Sequence, residues 1–149
     1  MMIESKHEDV GRDVAALVGR VLMSAIFVWS GFTKLTAAAW FQGYLASLGV
    51  PFPEPAWAAA VAIELVGGLA LLLGMQARAA AAVLGVWCIV TALIGHTNFA
   101  DVDARIHFMK NVAMAGGFLF IATFGAGAYS LDRLRLRLRA AYLGRLSHW

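Results

Sequence analysis

Four apolar blocks, each about 18–22 residues long, constrain this chain more than any other feature, because a helix needs that length to cross a hydrocarbon core of about 30 Å. The blocks span residues 14–35, 56–74, the stretch from a hairpin at 75–78 to Gly95, and 106–124. None carries the polar stripe that a helix of a soluble bundle turns to water. Apolar residues make up 61% of the 149 and charged residues 14%, with a mean hydropathy of +0.74. A soluble domain carries about 45–50% and about 25%. The expected fold is therefore all-α: an integral membrane four-helix bundle formed by one domain.

The segments between the blocks give the rest of the architecture. In Trp40-Phe41-x-x-Tyr44-Leu45-x-x-Leu48 the large residues recur at helical spacing, which predicts a short interfacial helix with that face in the lipid. All three prolines follow in Gly49-Val50-Pro51-Phe52-Pro53-Glu54-Pro55 and forbid a helix running through. Trp57 falls in the aromatic belt at the start of the second span. The tail, residues 131–149, sets Leu131, Leu134, Leu138 and Tyr142 on one side among arginines, an amphipathic basic helix for the membrane surface. The expected division is a cytoplasmic segment 1–13, a membrane domain 14–130 and a cytoplasmic tail 131–149, with no removable signal peptide.

Lys and Arg set the orientation. Lys6, Arg12, Arg78, Arg133, Arg135, Arg137, Arg139 and Arg145 fall on one side, and only Lys34 and Arg105 on the other. Both termini are expected in the cytoplasm. The formal charge of +3, concentrated in the tail, points to anionic lipid and to no nucleic acid. The single cysteine, Cys88, excludes a self-contained dithiol mechanism and reads as a small buried apolar residue.

An ionisable group inside a span costs at least about 2.5–3.5 kcal/mol at the helix centre, so each one needs a reason. Glu64 lies near the midplane and needs a partner or a proton. Lys110 with Asn111 lies about 7–8 Å outward of the centre of its span and Arg20 a similar distance inward, with Lys34 and His96 farther out. Glu64 is expected to pair with Lys110 or Arg20. The glycine pairs Gly67-Gly68 and Gly116-Gly117 favour close packing of the second and fourth spans, which would bring Glu64 to Lys110. Glu64 and Lys110 are the candidate catalytic pair. Arg20, Lys34, His96 and Asn111 are candidate ligand contacts, and Phe27, Trp29, Phe32, Trp87, Phe99 and Phe108 are candidate aromatic walls. A buried pair that only fixes helix register is the competing reading. His96 and His107 flank Asp101 and Asp103, but their spacing fits no zinc pattern, and histidines at helix ends do not face each other as haem ligands would. No flavin motif is present.

Several of these residues resemble the signature of the DoxX family. They are Gly19-Arg20 with Ser30-Gly31-Phe32-Thr33-Lys34-Leu35, Gly49-Val50-Pro51, Glu64-Leu65-Val66-Gly67-Gly68-Leu69 with Leu71-Leu72-Leu73-Gly74, and Lys110-Asn111 with Gly116-Gly117, Gly125-Ala126-Gly127 and Ser130-Leu131-Asp132. The likeness covers about residues 15–132. It implies a four-span protein of the bacterial inner membrane, linked through some relatives to quinone oxidoreductases. The expected function is a quinone-interacting subunit or accessory of a membrane redox system, with the ligand in a polar pocket in the outer half of the bundle. As an enzyme it would need a membrane or soluble redox partner. A homo-oligomer in the lipid bilayer is compatible with the sequence. The alternative is a non-enzymatic scaffold or assembly protein whose ion pairs are structural. A small-molecule carrier fits less well, because no span is interrupted and no inverted repeat stands out.

Overall fold

The computed structural model describes the backbone of residues 2–146 and the side chains of residues 9–145, so residues 147–149 of the expected tail lie outside the described residues. The described chain forms six helices: α1 (Met2–Thr36), α2 (Ala38–Ser47), α3 (Pro53–Leu73), α4 (Ala77–Gly95), α5 (Val102–Phe124) and α6 (Leu131–Leu146). Four of them, α1, α3, α4 and α5, are long and apolar enough to cross a membrane.

The helix boundaries follow local chemistry. α1 begins well before the first apolar block, because no proline or turn sequence interrupts its polar start. Phe52 takes a left-handed φ of 56° just ahead of Pro53, and Pro53 and Pro55 fall in the first turn of α3, where a missing N–H costs nothing. α3 stops at Gly74, which takes a left-handed φ of 66°. The first amides of α4 are capped from a distance: the Asp132 carboxylate accepts from Gln76 N at 2.8 Å and Ala77 N at 2.9 Å. Asp132 N in turn donates to Gly74 O at 3.0 Å, tying the start of α6 to the α3–α4 turn.

α1 packs on α3, α3 on α4 and α4 on α5, while α1 and α5 meet only sparsely. The core gathers Phe27, Leu71, Ala81, Leu84, Cys88 and Phe118, with the rings of Phe27 and Phe118 edge to face at 5.3 Å. Cys88 is a buried free thiol. At most 28% of the most apolar stretch of any span is buried, and Leu22, Val66, Val86, Leu119 and Phe120 are exposed. Such a surface is stable only in lipid.

Two expectations about packing change. The glycines of α3 receive α1 and α4, not α5. A Cβ at Gly68 would lie 3.0 Å from Val28 Cγ2 and 3.1 Å from Val28 N, and one at Gly31 would lie 2.8 Å from Leu65 Cγ. Gly117 of α5 faces Met23 of α1, and nothing lies within 4 Å of a Cβ at Gly116. In α6 the exposed Leu136 and Leu143 stand about 130–150° around the helix from the expected apolar face. Arg135 and Arg145 flank that face, so the helix segregates its polarity only weakly.

Candidate functional site

The two ends of the bundle hold different polar clusters, and one rule of helix geometry explains both. The Cα–Cβ bond of a helical residue tilts toward the N-terminus, so a long side chain reaches one turn back along its own helix. α1 runs from the Arg20 end to the Lys34 end, and α3 and α5 begin at the Lys34 end.

Arg20 therefore swings away from the bundle centre. It is 2% exposed, and its guanidinium donates to Ala126 O, to Tyr129 O at 2.7 Å and to Leu72 O at 3.4 Å. Asp13 Oδ1 accepts from Ala128 N at 3.0 Å beside it. This is a clamp that fastens the α5–α6 reversal to α1 and to the end of α3. The expected approach of Arg20 to Glu64 is not made, because three carbonyls in reach take its donors.

Lys34 leans in the same direction along α1, which at its end of the helix carries it into the bundle. Its Nζ lies 2.5 Å from Ser30 Oγ one turn back, 2.8 Å from Glu64 Oε2 and 5.0 Å from the centre of the Phe41 ring. Glu64 tilts outward along α3 to meet it, and its second oxygen accepts from Trp87 Nε1 at 3.0 Å. Glu64 is 4% exposed. Trp57, expected in the interfacial belt, donates its indole N–H to Lys34 O at 2.8 Å and pins the end of α1 to the start of α3. The crossing is close because Gly31 and Gly68 remove side chains from the α1–α3 contact.

Lys110, the other expected partner of Glu64, tilts outward along α5. Its Nζ lies 2.9 Å from His107 Nδ1. Glu64 thus pairs with Lys34 and with neither expected partner: α1 and α3 run in opposite directions, so Lys34 and Glu64 lean toward each other, whereas Lys110 leans the same way as Glu64 from a helix that α3 does not pack against. Asn111 is 8% exposed and donates to His107 O at 3.0 Å. The rings of His96 and His107 stack with centroids 5.1 Å apart. Burial first, then the neighbouring His107 and Lys110, hold the His96 imidazole below its ordinary pKa of 6.5.

These groups surround a cavity of about 390 Å³ that Lys34, Glu64, His96, Lys110 and Asn111 all line. Arg20 is not among its walls. Phe27 and Trp87 line it, whereas Trp29, Phe32 and Phe99 are exposed, and Phe108 packs edge to face on Phe99 at 5.1 Å. α2 contributes where lipid contact was expected: Leu45 is buried, Phe41 and Tyr44 are half-buried against the cavity, and Trp40 and Leu48 are the exposed members of that group. Ser30 and Tyr44 were missed as site residues. Ser30 had a signal, since it stands four residues before Lys34. Tyr44 had none, because its place depends on how α2 folds back. Among the described residues no three His, Cys, Asp or Glu side chains gather as a metal site would require.

A helical bundle with four candidate spans, a lipid-compatible surface and a polar cavity near one end defines a membrane-spanning protein. The chain belongs to the DoxX family, whose model matches residues 15–97. It is 42% identical over 123 residues to inner membrane protein YqjF of Escherichia coli (strain K12), covering 82% of this chain and 92% of that protein. It is 38% identical over 127 residues to inner membrane protein YphA of the same strain, covering 82% of this chain and 91% of that one. No solved structure matches it significantly.

Proposed function

We propose that this DoxX protein is a quinone-interacting subunit or accessory of a redox system in the bacterial inner membrane. The Lys and Arg distribution supports placing both termini in the cytoplasm and the cavity in the outer half of the bilayer. The observation that carries the reading is the cavity itself. Its volume of about 390 Å³ lies within the range of about 300–1,000 Å³ usual for small-molecule sites. Its walls suit a flat ring bearing carbonyl oxygens: Phe27, Phe41, Ile94 and Met114 supply apolar surface, and Tyr44, Lys110 and Asn111 supply donors. A bound quinone would supply the electron-accepting chemistry. The chain's own residues would orient it, and the Lys34–Glu64 pair would hold a proton in reach of the cavity. The electrons would come from a partner.

One observation favours a scaffold or assembly protein. Among the described residues every buried side-chain N or O already has a hydrogen-bond partner, so the cluster is satisfied without a ligand. Extraction in mild detergent followed by mass spectrometry of bound small molecules separates the two. Stoichiometric quinone, lost in Trp87→Phe or Tyr44→Phe variants that remain folded, supports the redox reading. A protein that retains no quinone, and whose tryptophan fluorescence added quinones leave unchanged, overturns it.

A further inference from the structure

The quinone reading leaves the cavity's charge unused. Its lining carries Lys34, Glu64 and Lys110 as formal charges, together with His96. Lys34 and Glu64 cancel, and both Glu64 oxygens are occupied, one by Lys34 and one by the Trp87 indole. Lys110 has no such counter-ion. Its nearest polar partner is His107 Nδ1, which accepts only as a neutral imidazole. Among the described residues the ion pairs are Lys34–Glu64 and the exposed Arg12–Asp9, so neither Lys110 nor His96 meets a carboxylate. The acidic groups of the neighbouring loop are turned to other work or to the surface. Asp101 accepts from Asp103 N at 2.9 Å as the cap of α5, and Asp103 is exposed. Around His96 stand His107 and Lys110 from α5, and Tyr44, Lys34 and Glu64 across the same cavity. Lys110 and His96 thus stand together on one side of an apolar pocket whose only lining carboxylate is already spent, with the exposed His107 stacked on His96 just outside the lining.

We propose that this rim selects an anionic ring ligand, one whose ring carries an ionised hydroxyl or carboxylate directed at Lys110 and His96. The inference rests on the quinone reading and narrows its ligand class. Neutral quinones fit the same walls but leave the rim cation without a counter-charge. The ionised oxygen supplies one; Lys110 is exposed, so the gain is that of a single partly screened contact.

The test compares two probes of the same ring, 2-hydroxy-1,4-naphthoquinone, ionised at neutral pH, and neutral 1,4-naphthoquinone, on the purified full chain in detergent by tryptophan quenching. The expected result is tighter binding of the ionised probe by about ten-fold or more, the size of one modest ionic contact. Lys110→Arg should keep that ratio and Lys110→Gln should collapse it toward one, with thermal unfolding confirming that both variants fold. Equal binding of the two probes, or a preference that survives Lys110→Gln, overturns the proposal while leaving the quinone reading in place. Failure of both probes to bind overturns both. A preference that vanishes in phospholipid nanodiscs would assign the rim to lipid phosphate and also overturns the proposal.

Discussion

Replacing Glu64 with alanine tests the Lys34–Glu64 assignment most directly. The Glu64 side chain is 5% exposed and the Lys34 side chain 16%, so the ammonium left behind has little water to turn to. Removing one member of a buried pair costs about 3–5 kcal/mol, mostly the penalty on the stranded charge. Half-buried Trp87 loses its acceptor at the same time, and a donor left without a partner costs at most about 1–3 kcal/mol. The two costs overlap, because a rearranged side chain or one water can serve both groups, so Glu64→Ala should destabilise by about 3–5 kcal/mol in total. The double variant Lys34→Met with Glu64→Gln removes both charges and leaves an amide that still accepts from the indole. It should lie within about 2 kcal/mol of the parent, since replacing a whole buried pair is often nearly neutral. Unfolding of the parent, Lys34→Met, Glu64→Gln and the double variant in mixed micelles, followed by tryptophan fluorescence and circular dichroism, gives the four corners of the cycle, with Glu64→Ala measured beside them. A single variant within about 1 kcal/mol of the parent, or a double variant as unstable as the sum of its singles, would refute the buried pair.

Other contacts make sharper local predictions. Gly31→Ala puts a Cβ about 3.0 Å from Leu65 N and 3.1 Å from Glu64 Cβ. The α1–α3 contact must then part, at about 1–3 kcal/mol in the same assay, with Lys34→Met losing part of its effect in that background. Asp132→Ala frees the amides of Gln76 and Ala77 and should cost about 0.5–2 kcal/mol, with faster hydrogen exchange confined to the first turn of α4. His96 carries a folded pKa below its ordinary 6.5, so the unfolded chain binds the proton more readily. Its contribution to stability is complete above about pH 6.5, falls as pH drops through that value and levels off below the lowered folded pKa. His96→Gln should flatten this part of the stability–pH curve, and an unchanged slope would show that His96 is freely hydrated.

The fold was legible because membrane spanning leaves so few solutions. The apolar blocks, the proline cluster and Gly125 marked helices and turns that the structure reproduces to within a few residues, except at the start of α1, which begins at Met2 and not at residue 14. The membership of the cavity was largely legible too, since polar groups in spans are conspicuous. Their pairing was not. It depends on which way each side chain leans, and that follows from helix direction, not from depth along the sequence. Helix neighbours were equally hidden: a Gly-Gly step announces a close approach without saying which helix approaches. The role of Asp132 had no local signal at all, since its two amide donors lie more than fifty residues away.

The same lean that misled the pairing explains how the bundle divides its work. At the Arg20 end a long side chain leaves the membrane core and spends its donors on backbone carbonyls of a chain reversal. Those acceptors belong to the fold, so any substitution there acts on stability first. At the other end Lys34 and Glu64 lean toward each other and satisfy one another, which releases Lys110 from neutralising the buried carboxylate and leaves it on the cavity rim. Had Lys110 paired with Glu64, the cavity would hold one closed network and Lys34 would be the cation at its edge. The antiparallel run of α1 against α3 decides between these arrangements. It leaves the Lys110 ammonium without a carboxylate beside an apolar pocket, and under the quinone reading that asymmetry is what a ligand would use.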